Sequence, residues 1–408
     1  MAMGAIPAGF DTSADGVLMI GGHDVRALVA EAGNTPLFVF DNNLIGAKLA
    51  LFRAALPDGL GLHYSVKANP YPPLLEWLCK FVDGFDIASG GELDALESVE
   101  ACVLPLNFAG PGKTDHELKR AIQSDATICV ESPGETARVL DIGGKLGTRP
   151  KVMVRVNPPF RLQGEAMIMG AAASPFGIDH DKAADVVRGL IEAGADWRGL
   201  HIAPGSQCLD WAAIVAAQGA SVALAGQIAD AAGAEPREVN LGGGFGIPCF
   251  AGEAPLDLYS MGQAMGEMLA DVPGPLCASR FTLELGRWLV GEAGVYLTRV
   301  IDRKDSRGQP FLVTDGGLHH MLAAVGSVGQ SVRRNYPVAV ATRYGAPVEE
   351  AVNIVGNLCT PLDLLADQVD LPRADPGDLI AIFCAGAYGL TASPQAFHSQ
   401  AAAQEMMV

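Results

Sequence analysis

Positive charge is scarce in this chain: 28 Lys and Arg face 46 Asp and Glu, a formal net charge of −18 over 408 residues. A surface of that sign repels nucleic acid and anionic lipid, so no nucleic acid and no membrane is expected as a partner. Cysteine is thinly used as well. The eight Cys are scattered, with no CxxC pair and no Cys/His cluster at zinc-ligand spacing. Neither a structural zinc nor a disulfide framework is expected, and reduced thiols are the default. A leader pattern is also missing. The opening MAMGAIPAGFDTSADG has no basic segment followed by an apolar run, so no signal peptide is predicted. The Ala-rich stretch from Trp211 to Ala232 is interrupted by Gln218, Gly219, Ser221, Gln227 and Asp230. It reads as a packed helix rather than a membrane span. A soluble, cytoplasmic, metal-free protein is the expectation.

What the chain does have is length and a repeated pattern. Its size implies more than one domain and a large core that needs no staple. Short apolar runs alternate with helical periodicity: LFVFD (Leu37 to Asp41), LHYSV (Leu62 to Val66), FDIA (Phe85 to Ala88) and PLNFA (Pro105 to Ala109). TICVE (Thr127 to Glu131), KVMVRV (Lys151 to Val156), GLHIA (Gly199 to Ala203) and EVNLG (Glu238 to Gly242) follow. Eight strands alternating with helices predict an α/β fold, a (β/α)8 barrel, over 35–272. Beyond Pro273 the runs FTLEL, VYLTRVI, FLVT, PVAVAT, AVNIVG and LIAIFC are separated by turns with little helix. They predict a mostly-β domain over 273–408. Residues 1–34 contain VLMIGG, which could join it, and the tail from Ala401 is expected to fray.

In a barrel, reactive groups stand at the C-terminal ends of strands. Lys67 ends the second predicted strand, where burial would lower its pKa and make it a Schiff-base nucleophile. A surface Lys closing a strand is the plainer alternative. Gly242, Gly243, Gly244, Phe245 and Gly246 follow the eighth predicted strand, and such a turn lets backbone N–H groups approach an anion. It could equally be only a turn. Glu284 and Arg287 lie in LELGR; a Glu in so apolar a run needs a partner, and Arg287 three residues on could be that partner.

Together these segments resemble the fold-type III pyridoxal phosphate (PLP) decarboxylases, the ornithine, arginine and diaminopimelate decarboxylase group. YSVKAN at Lys67, GFDIAS at Asp86, GSQ at Ser206, GGGFG, ELGR for the family's EPGR, GNLCTPLD and GAYG at Tyr388 occur in family order from Thr35 to Ser393. Within the group the chain is most similar to decarboxylases associated with exosortase and exopolysaccharide gene clusters. These are related to enzymes acting on a carrier-bound amino acid.

The resemblance implies an alanine-racemase-like fold type III with PLP carried on Lys67. It implies that Gly243, Gly244, Ser206, Arg287 and Tyr388 bind the phosphate and that Glu284 pairs with the pyridine nitrogen. Arg155 and Asp86 would lie near the ring hydroxyl or the substrate. Cys359, as proton donor, and Asp363 would serve the other subunit of a homodimer with composite active sites. The substrate would be a small amino acid or an acyl-carrier-protein-bound one.

The chain also departs from the family. The ring-stacking His two residues before GS is replaced by Ala203, and His201, on the same side of the strand, is a candidate substitute. Thr360 stands where diaminopimelate decarboxylases carry a Glu, which puts diaminopimelate in doubt. Arg333, Arg334 and Tyr336 could grip a substrate carboxylate or a carrier phosphate, or form a solvated basic turn. Alternatives are an amino-acid racemase of the same fold, which Glu284 opposes since racemases place an Arg at the ring nitrogen, or a catalytically degenerate PLP-binding or regulatory homologue. A PLP-free phosphate-binding barrel would leave Lys67 unexplained.

Overall fold

Helix starts along the first half of the chain are set by local hydrogen bonds. Ser89 caps Gly90–Glu97 by accepting from the Glu92 N–H, and Ser132 caps Pro133–Leu146 through the Glu135 N–H. Thr114 and Glu117 form a reciprocal capping box on Asp115–Gln123. Each cap directly follows a strand exit, so strand and helix alternate with short turns.

The computed structural model describes residues 2–99, 102–164, 167–168, 173–326 and 333–408. It divides into a barrel unit, Ala50–Gly246 with Leu256–Gly286, and a β unit, Met1–Leu49 with Ile247–Pro255 and Arg287–Val408. In the barrel unit eight parallel strands close on themselves. They are β1 (Gly61–Ser65), β2 (Gly84–Ile87), β3 (Leu106–Phe108), β4 (Thr127–Val130), β5 (Lys151–Asn157), β6 (Asp196–His201), β7 (Glu238–Asn240) and β8 (Arg280–Leu285). Their order around the barrel is their order in the chain, and β8 pairs with β1. The helix Trp211–Ala232 is long and apolar enough to cross a membrane by length and composition. Here it is the crossover between β6 and β7, with Ile214, Ala217, Val222, Ala225 and Ile228 buried.

The β unit holds an eight-stranded sheet. Gly294–Ser306 pairs antiparallel with Gln309–Thr314, with Leu379–Ile382 and with Leu37–Phe40. Leu18 and Ile20 pack in one apolar core with Leu37, Val39, Val295 and Leu297. The VLMIGG run supplies Leu18–Ile20 to a separate three-stranded sheet, pairing with Asp11–Thr12 and His23–Asp24.

Four expectations are corrected. LFVF is not a barrel strand; it runs antiparallel to Gly294–Ser306, so it cannot take part in an all-parallel barrel. FTLEL is the eighth barrel strand, parallel to β7 and β1. The tail is ordered as the strand Gln404–Met407, parallel to Leu37–Phe40, because it completes that strand's second edge. Finally, Cys79 and Cys102 form a disulfide with Cα atoms 5.6 Å apart. Cys79 ends the helix Pro72–Leu78 and Cys102 lies on the approach to β3, 23 residues later. Their separation in sequence hides the juxtaposition.

Candidate active site

The barrel's upper interior is unusually polar. Inward positions at the strand ends hold His63, Asp86, Asn107, Arg155, His201, Asn240 and Glu284, where branched apolar residues commonly fill such layers. Lys67 stands in a short 3-10 turn, Val66–Ala68, directly after β1. Its side chain is exposed, which corrects the expectation of burial. Glu92 stands near it, accepting the Ala88 N–H at 2.7 Å. Burial lifts the Glu92 carboxyl above its usual range, against that N–H and the Lys67 charge.

Glu284 lies on β8 opposite His63 of β1, one residue before the Leu285–Tyr64 pair. The His201 imidazole Nε2 is 3.4 Å from its Oε2. Burial works against the Glu284 charge, but His201, with Lys67 and Arg155, outweighs it and holds the carboxyl at about 2. His201 is 1% exposed. It therefore has no face to offer a cofactor ring, and its expected contact there is corrected.

Arg155 projects from β5 and donates from Nη1 to Glu131 Oε1 at 2.8 Å, with its guanidinium 5.0 Å from the Phe176 ring centroid. Glu131 also accepts the N–H groups of Gly110 and Gly177. Burial pushes the Glu131 carboxyl up, and Arg155 more than reverses this, leaving it below its usual range. Behind it, Lys113 and Glu135 form a fully buried pair at 2.8 Å, and Glu135 accepts the Glu131 N–H at 2.7 Å. Sequence reasoning missed this network. Its signal was a charged residue closing the apolar run TICVE at a strand exit.

Asp86 turns inward rather than toward the mouth. It is 7% exposed, and its Oδ2 lies 3.5 Å from His63 Nδ1. Burial disfavours a charged His63, yet Asp86 overrides it and raises the imidazole above its ordinary value. Gly84 is required beside this pair, since a Cβ there would stand 2.6 Å from the His63 ring.

The GGGFG turn follows β7. Gly242 and Gly244 have φ of 68° and 98°, a region that favours glycine. A Cβ on Gly243 would lie 2.3 Å from the Glu284 carbonyl oxygen, so the turn passes flush against β8. Cys208 N–H donates to the Gly244 carbonyl and Gly246 N–H to the Cys208 carbonyl, both at 2.8 Å, which seats the turn along the segment holding Ala203, Ser206 and Gln207. All of these stand at the C-terminal ends of the barrel strands.

In the β unit the Arg287 guanidinium lies 4.6 Å from the Tyr388 ring, and its Nε is buried without a hydrogen bond among the described residues. Cys359 is exposed, and Leu362 beside it is 67% exposed. Asp363 is 3% exposed and accepts the N–H groups of Leu318 and Leu358 at 2.6 and 2.9 Å. A substrate contact by Asp363 is thereby corrected to an internal tie between two loops. Arg333 donates to the carbonyls of Val325 and Leu364, Arg334 pairs with Glu253 at 2.9 Å, and Tyr336 is buried edge-on against Phe250. Arg333 and Tyr336 are thus engaged inside the unit, while Arg334 stays exposed with its charge met by Glu253.

A parallel barrel with an exposed lysine after β1, a partly buried acid on β8 and a glycine-rich turn after β7 defines the class of barrel-fold pyridoxal enzymes. The family model described as pyridoxal-dependent decarboxylase, pyridoxal binding domain, matches residues 42–291. The chain belongs to that family of PLP-dependent carboxy-lyases. It is 33% identical to the L-glutamyl-[BtrI acyl-carrier protein] decarboxylase of Niallia circulans, over 89% of this chain and 86% of that protein. It is 30% identical to the diaminopimelate decarboxylase of Aquifex aeolicus, over 97% and 91%. Among solved structures, diaminopimelate decarboxylase from M. jannaschii aligns with a TM-score of 0.83 at 25% identity, covering 94% of this chain and 89% of that one. A second structure of that enzyme, with L-lysine, gives a TM-score of 0.87 at 24% identity over 98% and 93%, a likeness of fold.

Proposed function

We propose that this enzyme removes the α-carboxylate of an amino acid, free or held on a carrier protein, with PLP carried covalently by Lys67. The observation that carries the assignment is the pairing of adjacent strands. The exposed Lys67 amine follows β1, and the partly buried, anionic Glu284 sits on β8 beside it. PLP, when bound, supplies an electron sink for the pair left behind as carbon dioxide departs.

The residues present fit that cofactor. No hydrogen bond from the Gly243 or Gly244 N–H is found among the described residues, so both donors are open to a phosphate, with Ser206 alongside. Glu284 would hold a proton on the ring nitrogen, as an anion beside a cation does. Arg155, fixed by Glu131, would face the ring hydroxyl or the substrate. Arg287, whose buried Nε has no hydrogen bond among the described residues, and Tyr388 keep the phosphate role that their motifs imply. Cys359 would return a proton to the α-carbon, and its exposure on an apolar-tipped loop supports service to a partner subunit in a homodimer.

For the substrate, the carrier-bound reading is favoured over diaminopimelate. The relative named for L-glutamyl-carrier decarboxylation is 33% identical, and Thr360 stands where the diaminopimelate enzymes carry a Glu. A cytoplasmic setting goes with this reading. A mass-spectrometric screen of amino acids, free and loaded on acyl carrier protein, tests it. Carbon dioxide loss from a carrier-loaded amino acid is expected. Turnover of free diaminopimelate alone would reverse the preference, and α-proton exchange without carbon dioxide loss would mark a racemase.

A further inference from the structure

Strand register places His201 in the layer beneath Glu284. His201 of β6 lies opposite Asn240 of β7, and Asn240 lies opposite Thr282 of β8. Thr282 precedes Glu284 by two residues and so shares its face of the strand. The imidazole therefore approaches the carboxylate from inside the barrel, 1% exposed, with Nε2 at 3.4 Å from Oε2. Neither ring nitrogen makes a well-formed hydrogen bond among the described residues. A buried imidazole is costly without a partner, and the Glu284 carboxylate is within ion-pair reach. Ala203, two residues on, is the partly exposed side chain where relatives of this family place their stacking His.

We infer that His201 is a positioning residue: it fixes the orientation and charge of Glu284 from below, and through Glu284 the proton on the cofactor's ring nitrogen. The inference rests on the proposed placement of Glu284 at that nitrogen and adds the group that keeps the carboxylate in place. Outer-shell partners of this kind set the orientation of the groups that touch a cofactor. The low Glu284 pKa agrees with this arrangement, with His201 the foremost of the charges that oppose burial.

The test uses the holoenzyme with His201→Leu, His201→Gln, Glu284→Gln and the His201→Leu/Glu284→Gln double variant. The readouts are the dissociation constant for PLP and the visible absorption band of the bound cofactor. His201→Leu should weaken PLP binding by about tenfold and shift the band. His201→Gln, which restores an N–H near the Nε2 position, should return both to within about threefold of wild type. In the Glu284→Gln background, His201→Leu should change PLP affinity by less than about twofold, since the group it works through is gone. If His201→Leu leaves both readouts at wild type while Glu284→Gln moves them, the inference fails and the placement of Glu284 stands. If His201→Leu acts equally in both backgrounds, the imidazole works independently of Glu284 and the inference is overturned. If Glu284→Gln alone leaves band and affinity untouched, both fall. Should the Leu variant not fold, His201→Gln against His201→Asn decides, because the shorter amide cannot reach Oε2; equal behaviour of the two would refute the inference.

Discussion

Buried and partly buried carboxylates serve opposite ends in the two units. In the barrel, Glu284 meets His201, Asp86 meets His63 and Glu131 meets Arg155, so each acid faces a side chain that carries or can carry positive charge. In the β unit, Asp363 spends both oxygens on backbone N–H groups of Leu318 and Leu358. Glu405 sits in the C-terminal strand, where burial pushes its carboxyl up to about 7. Acids set against side-chain cations at strand exits keep a charge in a defined direction, which is what a cofactor ring needs. An acid bonded to backbone holds a loop instead. On the function proposed above, the β unit contributes to the chemistry only through its exposed Cys359 and through Arg287 and Tyr388.

The contrast can be broken by separating activity from stability. Lys67→Ala should reduce decarboxylation by about a thousandfold or more while leaving thermal unfolding unchanged, because the side chain is exposed. A parallel loss of Tm would return Lys67 to a structural role. Glu284→Gln should slow turnover by about a hundredfold or more, about 3 kcal/mol of barrier, measured with PLP at saturation. Unchanged turnover would make Glu284 part of the scaffold.

Cys359→Ala crosses the divide, lying in the β unit but expected to cost about a hundredfold in rate. Mixing it with Lys67→Ala after reversible dissociation should restore about half the activity of a wild-type dimer per heterodimer, since one of two equivalent sites is then intact. No recovery despite confirmed subunit exchange would rule out the composite site.

Smaller effects are expected from the acids of the β unit. Asp363→Asn should lower stability by about 1–3 kcal/mol, because an amide cannot accept both N–H groups. PLP affinity should stay at wild type; a large loss of cofactor would blur the contrast. Glu405 should give a pH-dependent effect. Its folded pKa of about 7 exceeds the ordinary 4.5, so the unfolded chain releases the proton first. Stability is whole below about pH 4.5 and falls as pH rises through 7. Glu405→Gln should flatten that decline in thermal unfolding between pH 5 and pH 8, and an unaltered slope would show that another group is responsible.

Much of the barrel was legible because its strands are short apolar runs ending in unusual residues. Lys67, the GGGFG turn and Glu284 could each be picked out by their position at a strand exit. LFVF was not separable from barrel strands in this way. All four of its residues are buried, as those of a barrel strand are, and local composition does not record which sheet its paired neighbours belong to. The same limit hid FTLEL in the barrel. Asp363 was implied by the resemblance and the RRNYP side chains by their charge, and neither reading could register the contacts from distant segments that engage them. His201 was visible as a lone histidine on a strand, and its partner was not, since the two lie 83 residues apart in sequence (284 − 201).

The central claim is that Lys67 carries the cofactor at the mouth of the barrel. Borohydride reduction of the PLP-loaded enzyme, followed by peptide mapping, tests it without reference to any substrate. The account predicts a visible or near-ultraviolet absorption band that is lost on reduction, with the pyridoxyl label on the peptide containing Lys67. A label on Lys48 or Lys80, or a loaded enzyme that cannot be labelled at all, would contradict it.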